Sequence, residues 1–115
     1  MTRTEILKRA FSEEFVEGMR VRMVTGVFKY GFPDETVKRV DRWETIKARW
    51  QKYVETGNTE YMMDIANFVM VEFMLPKHQR AHFTPTDSDG SPGLQDSSGR
   101  ALHTRPETTG ERYVG

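Results

Sequence analysis

The sequence predicts an all-α fold: a four-helix domain over residues 1–75 with an extended or disordered tail over 76–115. Three observations carry this. Apolar residues recur at three- and four-residue spacing through the first 75 positions. Helix-capping residues punctuate that pattern at regular intervals. Beyond Leu75 the pattern stops: four of the five prolines and all three histidines lie there, and large apolar residues are few.

The first helix opens at Thr2, which has capping-box spacing to Glu5, and it aligns Ile6, Leu7, Ala10 and Phe11. Ser12, followed by Glu13 and Glu14, has the form of a second N-cap with acids in the first turn. Whether it separates two helices or sits within one is open at this level. The segment after it places Phe15, Val16, Met19, Met23, Val27 and Phe28 on one face, slightly weakened by Gly18 and Gly26. In "KYGFPDE", Gly31 suits a C-cap and Pro33 the first turn of the next helix. A third helix then carries Val37, Val40, Trp43, Ile46, Trp50 and Tyr53 on one stripe. Gly57 closes it, and Asn58 is placed to cap a fourth helix that ends before Pro76. No strand pattern and no internal repeat is present.

Composition bounds the function. Lys plus Arg equals Asp plus Glu at 17 each, so the formal net charge is zero. A general nucleic-acid or membrane-surface binder carries a single-sign excess, so neither class is expected. No apolar run is long enough to cross a bilayer, and the N-terminus does not read as a signal peptide. With no cysteine there are no disulfides or thiolate metal sites, which is compatible with a cytoplasmic location. The 40-residue tail lacks the apolar surface to offset its own ordering entropy; it is either disordered or laid as an arm on a partner subunit.

The most informative stretch is "NTEYMMDIANFVMVEFML" at 58–75. On a helix, Glu60, Asp64, Asn67 and Val71 fall within about 60° of one another, and Glu72 points about 100° away. Nearly every other position is apolar, as in a helix packed on several sides. The polar stripe has two readings. It is the side that meets water, or it lines a concave site where carboxylates four residues apart share a hard cation such as Mg2+. The methionines at 62, 63 and 70 read as core filler. "EEFVE" puts Glu13 and Glu17 at a core boundary, either as a solvated first turn or facing a site between helices. Lys38, Arg42, Arg49 and Lys52 share a basic stripe, with Arg39 nearby. That stripe is a solvated face or a phosphate-binding one, since Arg grips phosphate oxygens in bidentate geometry. Lys29 and Tyr30 could meet a phosphate and a base. His78 and His82 make a weak case for zinc. "DSDG" is rejected as a calcium loop because Pro85 stands where the pattern needs an acid.

Taken together, "EEFVE", "KYG", the Arg/Trp helix and "GNTEYMMDIANFVMVEF" resemble the all-α MazG-like nucleoside triphosphate pyrophosphohydrolases. The likeness is nearest to small phage proteins similar to the N-terminal domain of dATP/dGTP diphosphohydrolases. It covers residues 12–75. The resemblance implies Mg2+ held by Glu13, Glu17, Glu60 and Asp64, with Glu60, Asp64 and Glu17 catalytic. It implies substrate contacts from Asn67, Lys29, Arg39 and Arg42. It also implies a homodimer or higher oligomer, in the host cytoplasm if the chain is a phage's. Glu60 and Asp64 stand four apart where the family's second motif has three. Two further functions are therefore carried forward: a catalytically silent nucleotide binder, and a helical protein-interaction module.

Overall fold

A computed structural model describes residues 1–86 and 90–105. Five helices follow in order: α1 (Arg3–Ala10), α2 (Glu13–Tyr30), α3 (Pro33–Thr36), α4 (Arg42–Thr56) and α5 (Glu60–Met74). The described residues contain no strand beyond an isolated antiparallel bridge between Gln95 and Ala101. No helix among them is long and apolar enough to cross a membrane.

The helix starts follow from local chemistry. Thr2 Oγ1 accepts from the Glu5 amide at 3.2 Å, and Ser12 Oγ accepts from the Phe15 amide at 3.0 Å. Ser12 therefore separates two helices, which settles the point the sequence left open. At the end of α4, Gly57 takes a left-handed conformation (φ 73°), and its amide donates to the Tyr53 carbonyl at 2.7 Å. Asn58 Oδ1 then accepts from the Glu60 amide at 3.1 Å, tying the entry of α5.

One expectation is corrected. The predicted third helix is two elements. α3 is a single turn opened by Pro33, and the chain leaves helical geometry before Asp41, which caps α4. Asp41 Oδ1 accepts from the Glu44 amide at 3.0 Å. The Val37, Val40 and Trp43 spacing runs through this break and hides it. The break also dissolves the basic stripe. Lys38 and Arg39 lie in the turn, and Arg42 opens α4 as the most buried residue described, 5% exposed.

α5 is the central element, packed against α4 on one side and α2 on the other. Gly18 sets the α2–α5 approach: a Cβ there would lie 2.4 Å from Met63 Sδ, so this glycine serves close packing. The residue that reads as a helix defect in sequence is a contact point in the fold. The interior is thin. Val71 is the one apolar residue in the buried class among those described, joined there by Arg42 and Asn67. Many large apolar side chains stay exposed, among them Val21, Val24 and Phe28 of α2 and Trp43, Trp50, Val54, Val69 and Phe73 of α4 and α5.

Past Leu75 every described residue is exposed. Within this tail a tight turn forms. Asp96 accepts from the Ser98 and Arg100 amides at 2.9 and 3.1 Å, and the Leu102 amide donates to the Leu94 carbonyl at 2.7 Å. The "DSD" of the rejected calcium loop and the last ten residues of the tail lie outside the described residues.

Candidate functional site

α2, the α3 turn, α4 and α5 enclose an open groove of about 820 Å3. Its lining is mostly basic: Arg22, Lys29, Arg39, Arg42 and Arg49 stand with Asp64, and Glu60 and Glu72 reach Arg22 and Arg42 from beside it. The chain as a whole is neutral, so the fold has segregated charge that composition averages away.

Asp64 sits at the centre of the groove wall, about one-eighth exposed. Arg22 reaches it from α2 in a forked pair: Nε donates to Oδ1 at 2.9 Å and an Nη to Oδ2 at 3.1 Å. The other Nη of Arg22 lies 3.3 Å from Glu60. Arg49 approaches Asp64 from α4, with Nε 3.5 Å from Oδ2, and its guanidinium lies over the Phe68 ring at 4.9 Å. The hydrogen bond to Asp64 holds the Arg22 pKa above its ordinary value, against the burial that lowers it. The polar stripe of α5 is thus a docking line for guanidinium groups from both neighbouring helices.

Three side chains in the groove keep a buried polar atom without a hydrogen-bond partner: Arg42, Asn67 and Arg49, whose Nε is in ion-pair range of Asp64 only. Arg42 donates through Nη1 to Glu72 Oε1 at 2.7 Å and to the Leu75 carbonyl at 2.6 Å, yet its Nη2 has no hydrogen-bond partner. Asn67 donates through Nδ2 to the Met19 carbonyl at 2.9 Å, and its Oδ1 has no partner. A buried polar group left unmade costs free energy. Lys29 and Arg39 are exposed at the rim and form no ion pair with the described residues; Lys29 Nζ lies 5.2 Å from the Tyr30 ring centre.

The expected site residues are only partly brought together. Glu60 and Asp64 share Arg22, and Asn67, Lys29, Arg39 and Arg42 line the same groove. Glu13 and Glu17 do not join them. Both are exposed, Glu17 pairs with Arg20 at 3.2 Å, and both project about 140–180° around α2 from Arg22. Among the described residues no three His, Asp or Glu side chains gather as a metal shell would require. As arranged, Asp64 and Glu60 fit guanidinium partners, and Mg2+ at Asp64 would have to displace Arg22.

Sequence reasoning missed Arg22 as a site residue. A signal was available: Arg22 falls one turn from Gly18, on the face of α2 that meets Met63 of α5, whereas Arg20 is exposed and pairs with Glu17. Phe68 carries no site signal in the sequence, being one apolar position among many on α5. No protein-family model matches the chain, and neither a characterised protein nor a solved structure does. The functional reading therefore rests on the groove itself.

Proposed function

We propose that this protein binds a (deoxy)nucleoside phosphate in the groove between α2, α4 and α5. Lys29, Arg39, Arg42 and Arg49 hold phosphate oxygens, and Phe68 and Tyr30 offer aromatic faces for the base. The observation that carries this is the basic lining of the groove, in which Lys29 and Arg39 have no carboxylate partner among the described residues while Arg22, Arg42 and Arg49 are paired to Asp64, Glu60 and Glu72. An anion balances the two exposed, unpaired cations at the rim.

A second reading, Mg2+-dependent pyrophosphohydrolysis, is favoured by the adjacency of Glu60 and Asp64, which reach the same guanidinium. It requires Arg22 to leave them. Binding without turnover needs no such rearrangement and is the reading the arrangement supports better.

The proposal includes a homodimer. Trp43, Trp50, Val54, Val69 and Phe73 are more than half exposed on the side of α4 and α5 away from the groove. A domain this small, with one buried aliphatic residue among those described, gains most of its missing core by pairing such a face. The compartment proposed with this function is a cytoplasm, where nucleotides are held.

The test is a panel of nucleoside mono-, di- and triphosphates titrated calorimetrically with and without Mg2+, with pyrophosphate release followed in the same samples. Saturable binding with no release supports the binder. Release that Asp64→Ala abolishes in a folded protein supports the hydrolase. Neither binding nor release overturns both and leaves a helical interaction module.

A further inference from the structure

The chain beyond α5 is bonded back onto the end of the groove. Lys77, two residues past the Leu75 cap, makes both bonds. Its amide donates to Glu72 Oε2 at 2.8 Å. Its ammonium donates to the Val40 carbonyl, 37 residues earlier in the chain. Glu72 Oε1 in turn accepts from Arg42 Nη1 at 2.7 Å, and the same nitrogen reaches the Leu75 carbonyl at 2.6 Å. The end of α5, the root of the tail, the turn before α4 and the first residue of α4 are thus linked by one run of hydrogen bonds.

The turn over residues 37–41 is where this run matters. Its other hydrogen bonds are local: the Arg39 and Val40 amides donate to the Thr36 carbonyl at 2.9 and 3.2 Å, and Asp41 caps α4. Among the described residues, Lys77 makes the one hydrogen bond that reaches 37–41 from a distant part of the chain. The turn carries Arg39, one of the two unpaired cations at the groove rim, and Val40 lines the groove beside it. Lys77 itself is exposed and does not line the groove.

We propose that Lys77 is a positioning residue of the groove: it ties down the 37–41 turn and so holds Arg39 at the rim for an incoming phosphate. The inference rests on the nucleotide-binding reading and adds to it a residue from the segment whose composition reads as a tail. A turn already held in place loses less conformational freedom when Arg39 closes on its ligand. Lys77 acts through the backbone at Val40, and the gain is one of preorganisation.

The experiment compares the full unmodified chain with Lys77→Met and Lys77→Arg by two measurements. Amide hydrogen exchange without ligand reads the turn, and calorimetric titration with adenosine 5′-monophosphate reads the groove. In Lys77→Met the Arg39 and Val40 amides should exchange faster. Affinity should fall about 3- to 10-fold, the range expected when one side chain must be ordered on binding. Lys77→Arg keeps a charged donor for the Val40 carbonyl and should restore both readouts. Unchanged exchange in Lys77→Met overturns the proposal, and a fall in affinity alongside it reports only the lost charge. Faster exchange with undiminished affinity overturns the positioning role and leaves the groove reading standing. No binding by the unmodified chain overturns both.

Discussion

Replacing Arg42 with methionine keeps most of the aliphatic stem and removes the guanidinium. The structure gives that group two short bonds, 2.7 Å to Glu72 and 2.6 Å to the Leu75 carbonyl. The second satisfies one of the carbonyls that the last turn of α5 leaves open. A hydrogen bond from a charged donor contributes about 1.5–3 kcal/mol, and a buried carbonyl left unpaired loses that contribution. The ion pair to Glu72 is left out of the sum, because Glu72 is more than a third exposed and solvent screens it. Removing the unpartnered Nη2 recovers a little. The net expectation is a loss of about 2 kcal/mol. For a domain of this size that corresponds to a fall in Tm of about 8–16 °C. Thermal and urea denaturation followed at 222 nm measure it. Lys52→Met, on an exposed part of α4, should move Tm by less than about 2 °C, as surface substitutions do. An Arg42→Met protein with unchanged Tm would refute the reasoning, because the clamp between the start of α4 and the end of α5 would then contribute nothing.

Three further outcomes are expected. Glu72 is held below its ordinary value of 4.5 by the Arg42 hydrogen bond first and then by the Lys77 amide. Its contribution to stability is therefore fully present above pH 4.5 and is lost as pH falls through the depressed folded value. Glu72→Gln should flatten the acid limb of a Tm-against-pH profile and leave the neutral limb shifted by a constant amount; an unchanged acid limb contradicts this. Phe73→Asp places a charge on the apolar face of α5, where Phe73 is 77% exposed. Light scattering should fall from twice the 13.4 kDa chain mass to the chain mass itself, while helicity is kept. A wild-type protein already at 13.4 kDa contradicts the dimer. Asp41→Ala removes the cap of α4 and should cost about 1 kcal/mol by urea denaturation; no loss would mean that the break before α4 is held by other contacts.

The helices were legible because their ends are local chemistry. Thr2, Ser12, Pro33 and Gly57 each act within four residues of themselves, and sequence spacing reports that range directly. Asp41 acts at the same range and stands three before Glu44, so the break it makes was readable. The continuous Val37, Val40 and Trp43 stripe outweighed it. The site was legible only on one side. Helical geometry gathered Glu60, Asp64 and Asn67 into a line and set Glu72 apart, and each has a partner from another element. Which partner could not be read. Arg22 meets Asp64 across 42 residues, and Arg42 meets Glu72 across 30. Such pairings depend on how helices cross, which no local pattern encodes. The same limit explains Glu17: its position near an apolar stripe is real, but α5 packs on the other side of α2.

The groove as a nucleotide site is the central claim, and it can be tested at the atoms that define it. The measurement is a set of 15N–1H correlation spectra during titration with adenosine 5′-monophosphate in EDTA. The account predicts saturating shifts in the Arg39 guanidinium and the Lys29 backbone amide, with the Gly26 amide following. Saturation that moves none of these, or no shift anywhere at millimolar nucleotide, would contradict it.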